Sequence, residues 1–321
     1  MRVLAVDRLT DDSVAVTLDA DWAFASGQHV VVVKDGERRT YSVCSPEGGP
    51  LRIGVKELPG GAVSPWLCGI VPGEELEVLP PTGAFGPRVP LRRVGLVGAG
   101  SGVTPLVSIA ATQLAYGASV SLVLGNRTAR DVMLLDDLND LKDRYGPRFQ
   151  LVHVLSREEG SSELVSGRLD EARLERLLGP VVPVEADGWW LCGPLGVVDA
   201  ARAVLAARGV TQVHAELFFA EAAPPREHVE VPGAQAVVTL NGRTSTVPLG
   251  ADSVLDAVLR ARADAPYACK GGVCGTCRAK VTAGEVEMDV NYALEPAEVA
   301  AGVVLTCQAH PLTDVVELTY L

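Results

Sequence analysis

Three cysteines, Cys269, Cys274 and Cys277, fall within nine residues at C-x4-C-x2-C spacing, and Cys307 follows after 29 intervening residues. A chain that crowds three thiols into one short loop and returns a fourth from a distant segment must fold around whatever those thiols bind. The spacing is that of the plant-type ligand set for a [2Fe–2S] cluster. Gly271, Gly272, Gly275 and Thr276 are small enough to let the backbone wrap an inorganic core and turn amide hydrogens toward the sulfurs. The alternatives are a four-cysteine zinc site or structural thiols. Zinc ribbons pair two closely spaced couples, whereas here the fourth cysteine stands alone. The odd total of seven cysteines suits metal ligation in a reducing compartment better than a disulfide scaffold. Cys44 and Cys68 have no such company and read as small buried hydrophobes.

At 321 residues the chain exceeds one hydrophobic core, and its texture divides it into three domains. Residues 1–90 hold short β runs at 14–18, 29–33, 40–43 and 51–55. Gly48-Gly49-Pro50, Pro59-Gly60-Gly61, Pro72-Gly73 and Pro80-Pro81 punctuate them, which predicts an antiparallel β-barrel. Residues 91–220 alternate strands (94–97, 120–124, 150–155, 189–192, 213–217) with helices (103–115, 132–145, 170–178, 195–208). Such alternation needs crossover connections and predicts a doubly wound α/β domain on a parallel sheet. Residues 221–230, with Pro224-Pro225, read as a stiff linker. Residues 231–321 open with a hairpin around Asn241-Gly242 and a helix over 253–261, followed by the cysteine loop and further strands.

The run Gly98-Ala99-Gly100-Ser101-Gly102-Val103-Thr104-Pro105 lies between a predicted strand and a predicted helix. Glycines there let a pyrophosphate approach the backbone at a helix N-terminus. A second junction, Cys192-Gly193-Pro194, faces the same carboxyl edge of the sheet. The spacing departs from G-x-G-x-x-G, so the standard dinucleotide fingerprint does not apply. After the second strand Gly125-Asn126-Arg127-Thr128 replaces the usual acidic ribose ligand. An arginine there accommodates a 2′-phosphate and favours NADPH over NADH, unless Arg127 is only a solvated loop charge. In the barrel, Arg39-Thr40-Tyr41-Ser42 supplies a phosphate-pairing guanidinium, a flat aromatic face and a hydroxyl. Taken alone, Tyr41 reads more often as a barrel-wall aromatic and Arg39 as a surface charge.

R-x-Y-S, G-x-G-x-G-x-T-P, C-G-P and the cysteine set, in that order, resemble the ferredoxin–NADP reductase superfamily with a fused plant-type ferredoxin. Within it, the runs Pro266-Tyr267-Ala268-Cys269-Lys270-Gly271-Gly272-Val273-Cys274, Met288-Asp289-Val290-Asn291-Tyr292-Ala293-Leu294 and Leu305-Thr306-Cys307-Gln308-Ala309-His310-Pro311 resemble the reductases of aromatic acyl-CoA epoxidases. The resemblance implies a multidomain fold: an antiparallel β-barrel for flavin, a doubly wound α/β nucleotide domain and an α+β β-grasp ferredoxin domain. It implies FAD rather than FMN, held by Arg39 at the phosphates, Tyr41 against the isoalloxazine and Ser42, with Gly61, Ala62, Val63 and Ser64 capping the pyrophosphate. Gly98, Gly100, Gly102, Arg127, Gly193 and Pro194 hold the NADPH, or NADH. Thr104, Cys192 and Glu216 stand nearest the hydride chemistry, and Phe218 lies near the flavin. Ala99 and Val197 depart from the family pattern, which often has glycine and methionine there. Met133 and Leu134 read as core, because they share helical spacing with Leu135, Leu138 and Leu141.

The activity so implied is reduction by NAD(P)H with single-electron delivery to a di-iron oxygenase, for epoxidation of phenylacetyl-CoA. The alternatives are a ring-hydroxylating or alkane-oxidising system, or a non-catalytic electron carrier. A net charge of −12 argues against nucleic acid or anionic lipid as the main partner. It fits either a partner with a basic docking patch or simple colloidal dispersal. No apolar run is long enough for a bilayer and the N-terminus lacks signal-peptide features, so the expected place is the cytoplasm.

Overall fold

The computed structural model describes residues 1–159, 162–218, 228 and 231–321. The expected linker over 221–230 therefore lies outside the described residues except for His228. Contacts divide the chain into two compact units, Met1–Phe218 and Phe219–Leu321.

The first unit begins with six antiparallel strands: β1 (Val3–Thr10), β2 (Ser13–Leu18), β3 (His29–Lys34), β4 (Glu37–Ser42), β5 (Leu51–Lys56) and, after a short helix α1 (Ser64–Cys68), β6 (Glu77–Thr82). They form two three-stranded sheets, β1-β2-β5 and β4-β3-β6. Isolated bridges between Val43 and Ile53 and between Arg2 and Glu75 join the sheets at both seams and close the barrel. Val14, Val16, Val30, Val32, Ile53, Val55 and Leu67 fill its interior. Residues 80–81, expected to break structure, lie inside β6. The β3–β6 register skips there, pairing His29 with Thr82 and Val31 with Leu79. A bulge thus absorbs both prolines, which cannot donate to a regular ladder.

The α/β part of the same unit runs β7 (Arg93–Ala99), α2 (Val103–Ala115), β8 (Ser119–Asn126), α3 (Leu135–Tyr145), β9 (Phe149–Leu155), α4 (Glu171–Leu177), β10 (Gly188–Cys192), α5 (Leu195–Ala207) and β11 (Val213–Glu216). The sheet order is β11-β10-β7-β8-β9, all parallel. Every residue of β10 is buried, as a central strand covered on both faces requires. The chain reverses its winding between β7 and β10, so their carboxyl ends frame the crevice where open α/β sheets bind ligands. Helix α3 starts three residues later than the periodicity suggests. Met133 and Leu134 are fully buried, as expected of core, but Leu134 is left-handed at φ 56° and caps the helix. Helix α2 packs on the barrel: the Ser108 hydroxyl donates to Ser45 O at 2.7 Å, and Cys44 and Ala15 join the core under the parallel sheet.

The second unit holds β12 (Gln235–Leu240), β13 (Arg243–Pro248), α6 (Val254–Ala261), β14 (Arg278–Ala283), β15 (Val286–Met288), α7 (Pro296–Ala300), β16 (Val303–Leu305), β17 (Ala309–Pro311) and β18 (Val315–Tyr320). Its mixed sheet is ordered β13-β12-β18-β14-β16, and β15 pairs with β17 separately. Asn241 and Gly242 both have positive φ, 52° and 73°, as a two-residue hairpin turn of right-handed twist demands. β12 alternates buried and less buried positions, the pattern of a strand packed on one face only. Ser253 caps α6 by accepting from the Asp256 amide. Among the described residues no helix is long and apolar enough to cross a membrane.

Candidate functional site

Register places Gly98, Cys192 and Glu216 on one rung across β7, β10 and β11, at the carboxyl edge. Beside it the chain of Gly100–Gly102 turns into α2. A β-carbon on Gly102 would overlap the Cys192 carbonyl, so this position admits only glycine unless the two loops separate. The Cys192 thiol is fully buried, and burial first, then the Glu216 charge, hold its pKa well above the ordinary value. It therefore stays a neutral, polarisable surface rather than a thiolate nucleophile. Glu216 faces His29 of the barrel, with Oε1 3.9 Å from Nδ1.

Thr104 is buried, and its hydroxyl donates to the Ser101 carbonyl at 2.9 Å. Its methyl group occupies the space where a β-carbon on Gly54 would stand. The start of α2 is thus seated directly on β5. Sequence reasoning missed Gly54, because nothing local marks a strand glycine as a seat for a helix 50 residues away in the chain. Met133 also approaches this seat.

A cavity of about 540 Å³ opens at the same edge, lined among others by Ala99, Gly100, Arg127, Arg168, Pro194 and Val197. Arg127 lines this cavity, but Asp131 already holds its guanidinium at 2.6 Å. Arg168, which sequence reasoning also missed, has no side-chain hydrogen-bond or ion-pair partner among the described residues. It enters the cavity from the loop before α4, a separation that no local motif reports.

On β4, Arg39 pairs with Glu37 at 2.8 Å and remains about half exposed. Tyr41 is mostly buried, and burial pushes its phenol pKa up against the pull of Arg39. Cys68, at the end of α1, packs against the same barrel core as Tyr41. Ser42 is buried. Gly61, Ala62 and Val63 lead into α1, where the Ser64 hydroxyl accepts from the Leu58 amide at 3.0 Å. Phe218, two residues past β11, is 39% exposed. Cys44 is buried as expected, whereas Cys68 is only partly so.

In the second unit the four cysteines of the expected ligand set fall into two couples. The Cys274 thiol donates to Cys269, and that hydrogen bond lowers the Cys269 pKa to about 5 against the effect of burial. The Cys277 thiol likewise donates to Cys307 and lowers it. Two couples of thiols match two irons that each take two protein sulfurs. The Gly271 amide donates to Cys269 Sγ at 3.4 Å, and the amides of Val273 and Cys274 face the same sulfur. Lys270, Gly272 and Gly275 take positive φ to produce this wrap. Gln308, which carries no chemistry by residue type alone, donates to the Lys270 and Cys307 carbonyls at 2.9 and 3.0 Å and ties the lone fourth cysteine to the loop. The donor set, its pairing and the inward amides fit a [2Fe–2S] cluster.

Family comparison agrees with this geometry in the middle and in the C-terminal part of the chain. Residues 96–203 match the oxidoreductase NAD-binding domain, and residues 238–312 match the 2Fe-2S iron-sulfur cluster binding domain. The chain is 40% identical to a component of the 1,2-phenylacetyl-CoA epoxidase of Escherichia coli, over 98% of its own length and 95% of that protein. It is 36% identical to the ferredoxin reductase component of 3-ketosteroid-9-alpha-monooxygenase from Mycobacterium tuberculosis, over 92% and 85% of the two lengths. The chain belongs to the reductase components of multicomponent oxygenases. The reductase is thus an oxidoreductase that carries a nicotinamide-nucleotide domain and a [2Fe–2S] domain, and it serves electron transfer to an oxygenase. Its fold also resembles an intact type IV self-sufficient cytochrome P450 monooxygenase, at TM-score 0.73 and 23% identity. That likeness covers 99% of the reductase and 40% of the longer chain.

Proposed function

We propose that this reductase draws electrons from NADPH through FAD and a [2Fe–2S] cluster to a di-iron oxygenase that epoxidises the ring of phenylacetyl-CoA. The observation that carries the reading is the coexistence of the Gly98–Cys192–Glu216 rung with two thiol couples in one chain, at 40% identity to an epoxidase component. Flavin, when bound, accepts one hydride, an electron pair with a proton, and releases the two electrons one at a time, which a nicotinamide and a [2Fe–2S] cluster cannot do for each other.

The chain's own residues then have separate tasks. Residues 1–90 hold FAD: Arg39 turns from its exposed pair with Glu37 to the phosphates, a small loss for a surface ion pair. Tyr41 and Phe218 face the ring system, with Ser42 beside it, and Gly61, Ala62, Val63 and Ser64 line the pyrophosphate. Residues 91–220 hold the nucleotide: Gly98, Gly100, Gly102, Gly193 and Pro194 let its pyrophosphate reach the backbone. Thr104, Cys192 and Glu216 shape the nicotinamide approach. Arg127 meets the 2′-phosphate together with Arg168, which has no partner to give up among the described residues and is the readier of the two. Cys269, Cys274, Cys277 and Cys307, within residues 231–321, hold the cluster. Residues 221–230 join the parts.

The test is reconstitution. The purified holoprotein should reduce cytochrome c faster with NADPH than with NADH, and should support turnover of phenylacetyl-CoA by a di-iron oxygenase. Turnover with a steroid- or ring-hydroxylating oxygenase and none with the di-iron enzyme would overturn the assignment. The 36% identity to a steroid monooxygenase reductase makes that the competing outcome to measure first.

A further inference from the structure

Away from the four thiols, the second unit gathers two imidazoles and a carboxylate at one point. His228 Nε2 lies 2.7 Å from Asp289 Oδ1, and His310 Nε2 lies 3.2 Å from Asp289 Oδ2. The ligand atoms of His228, Asp289 and His310 all fall within 4.8 Å of one another. The two rings stack face to face, with centroids 3.6 Å apart and planes 9° from parallel. Glu287 stands behind His228, its Oε1 3.1 Å from Nδ1.

These distances set an electrostatic problem. Both ring nitrogens of His228 face carboxylate oxygens, and a neutral imidazole has an N–H for only one of them, so a cation between the ring and Asp289 would improve the contact. A second proton on His228 alone would also meet this need, but protonating His310 as well would stack two imidazolium ions at van der Waals distance. A single divalent ion among the two Nε2 atoms and Asp289 meets the carboxylate charge while leaving both rings neutral. We propose that His228, Asp289 and His310 form a binding site for one divalent late transition metal of the zinc class, distinct from the cluster ligands.

The donor types are those zinc takes, at bonds of about 2.0–2.2 Å; each imidazole lone pair lies in its ring plane, so the two stacked rings must tilt out of parallel for both Nε2 atoms to reach one ion. Glu287 accepts from His228 Nδ1–H, the outer carboxylate that fixes a metal-bound imidazole in its tautomer and raises its basicity. Strand pairing supplies the platform. Glu287 on β15 is directly opposite His310 on β17, and the Asp289 amide donates to the Gln308 carbonyl at 3.0 Å. Two of the three ligands are therefore held by a ladder, while His228 comes from outside it. Bound metal would tie His228 to the β15–β17 ladder. The strength is limited at His310, whose Nδ1 is buried without a hydrogen-bond partner among the described residues. Keeping its proton there weakens the site, so the expected dissociation constant is on the order of a micromolar.

The experiment is calorimetric titration of zinc chloride into the flavin- and cluster-loaded chain, with iron and sulfide assayed before and after. The expected result is one zinc ion per chain, with iron and sulfide unchanged. His228→Ala and Asp289→Asn should each weaken zinc binding about 10- to 100-fold. His228→Ala removes a ring from outside every strand, so its effect reads the site rather than the fold. The zinc-edge absorption spectrum of the bound ion should show nitrogen and oxygen neighbours. No saturable binding, binding unchanged in both variants, or a sulfur shell around the zinc would each overturn the proposal.

Discussion

The cysteine loop and the carboxyl edge of the parallel sheet, proposed to hold the cluster and the nucleotide, are assembled at different ranges of the chain. Three of the four thiols come from one loop, and only Cys307 arrives from afar, tied back by Gln308. At the sheet edge, Gly98, Cys192 and Glu216 share a rung although more than a hundred residues separate the first from the last. The lesson is that a site dominated by metal bonds can be written locally. A nucleotide site made of backbone, van der Waals surface and diffuse charge must instead be assembled by the sheet.

Four measurements break or sharpen that contrast. The largest effect is expected at the distant cysteine of the proposed ligand set: Cys307→Ala should cut cluster-dependent cytochrome c reduction about 100-fold or more, while direct ferricyanide reduction persists. Retention of full iron and sulfide in that variant would mean the loop alone holds the cluster. Next, Gly102→Ala should lower the unfolding free energy of the first unit by about 1–3 kcal/mol, read by denaturant titration, because the new methyl overlaps the Cys192 carbonyl. Gly102 has φ −60°, so a backbone preference for glycine does not confound the result.

A smaller change is expected from Thr104→Val, which keeps the shape against Gly54 but removes the hydroxyl that donates to Ser101. Stopped-flow flavin reduction should slow about tenfold with nucleotide affinity nearly unchanged. A parent rate would show that the threonine acts only by packing. The smallest effects belong to the cavity cations. Arg168→Ala should lower the NADPH-to-NADH ratio of kcat/KM about fivefold, and Arg127→Ala only about twofold, since Asp131 already occupies that guanidinium. The reverse order would restore Arg127 as the main reader of the 2′-phosphate.

Range along the chain also explains what could be read before the fold was known. The alternation of strands and helices in the middle segment follows from periodicity, and β7, α2, β10 and α5 lie within a residue or two of expectation. The Asn241-Gly242 turn was equally legible, because its φ values are a local property. Elsewhere local rules were overruled. Pro80 and Pro81 signalled a break, but the barrel needed a sixth strand and accommodated them in a bulge. Leu134 fitted a helix by spacing, yet it is buried in a left-handed conformation ahead of α3.

By itself the sequence determined the thiol set, the βα junctions and the order of the segments, because covalent spacing and short periodicities carry those constraints. Tertiary structure alone decided that Thr104 rests on Gly54, that Arg168 enters the cavity beside Arg127, and that Glu216 completes the rung begun by Gly98. It also decided that His228 meets Asp289 and His310. Each of these meetings depends on strand order and register, which long-range pairing selects and no short window of residues encodes.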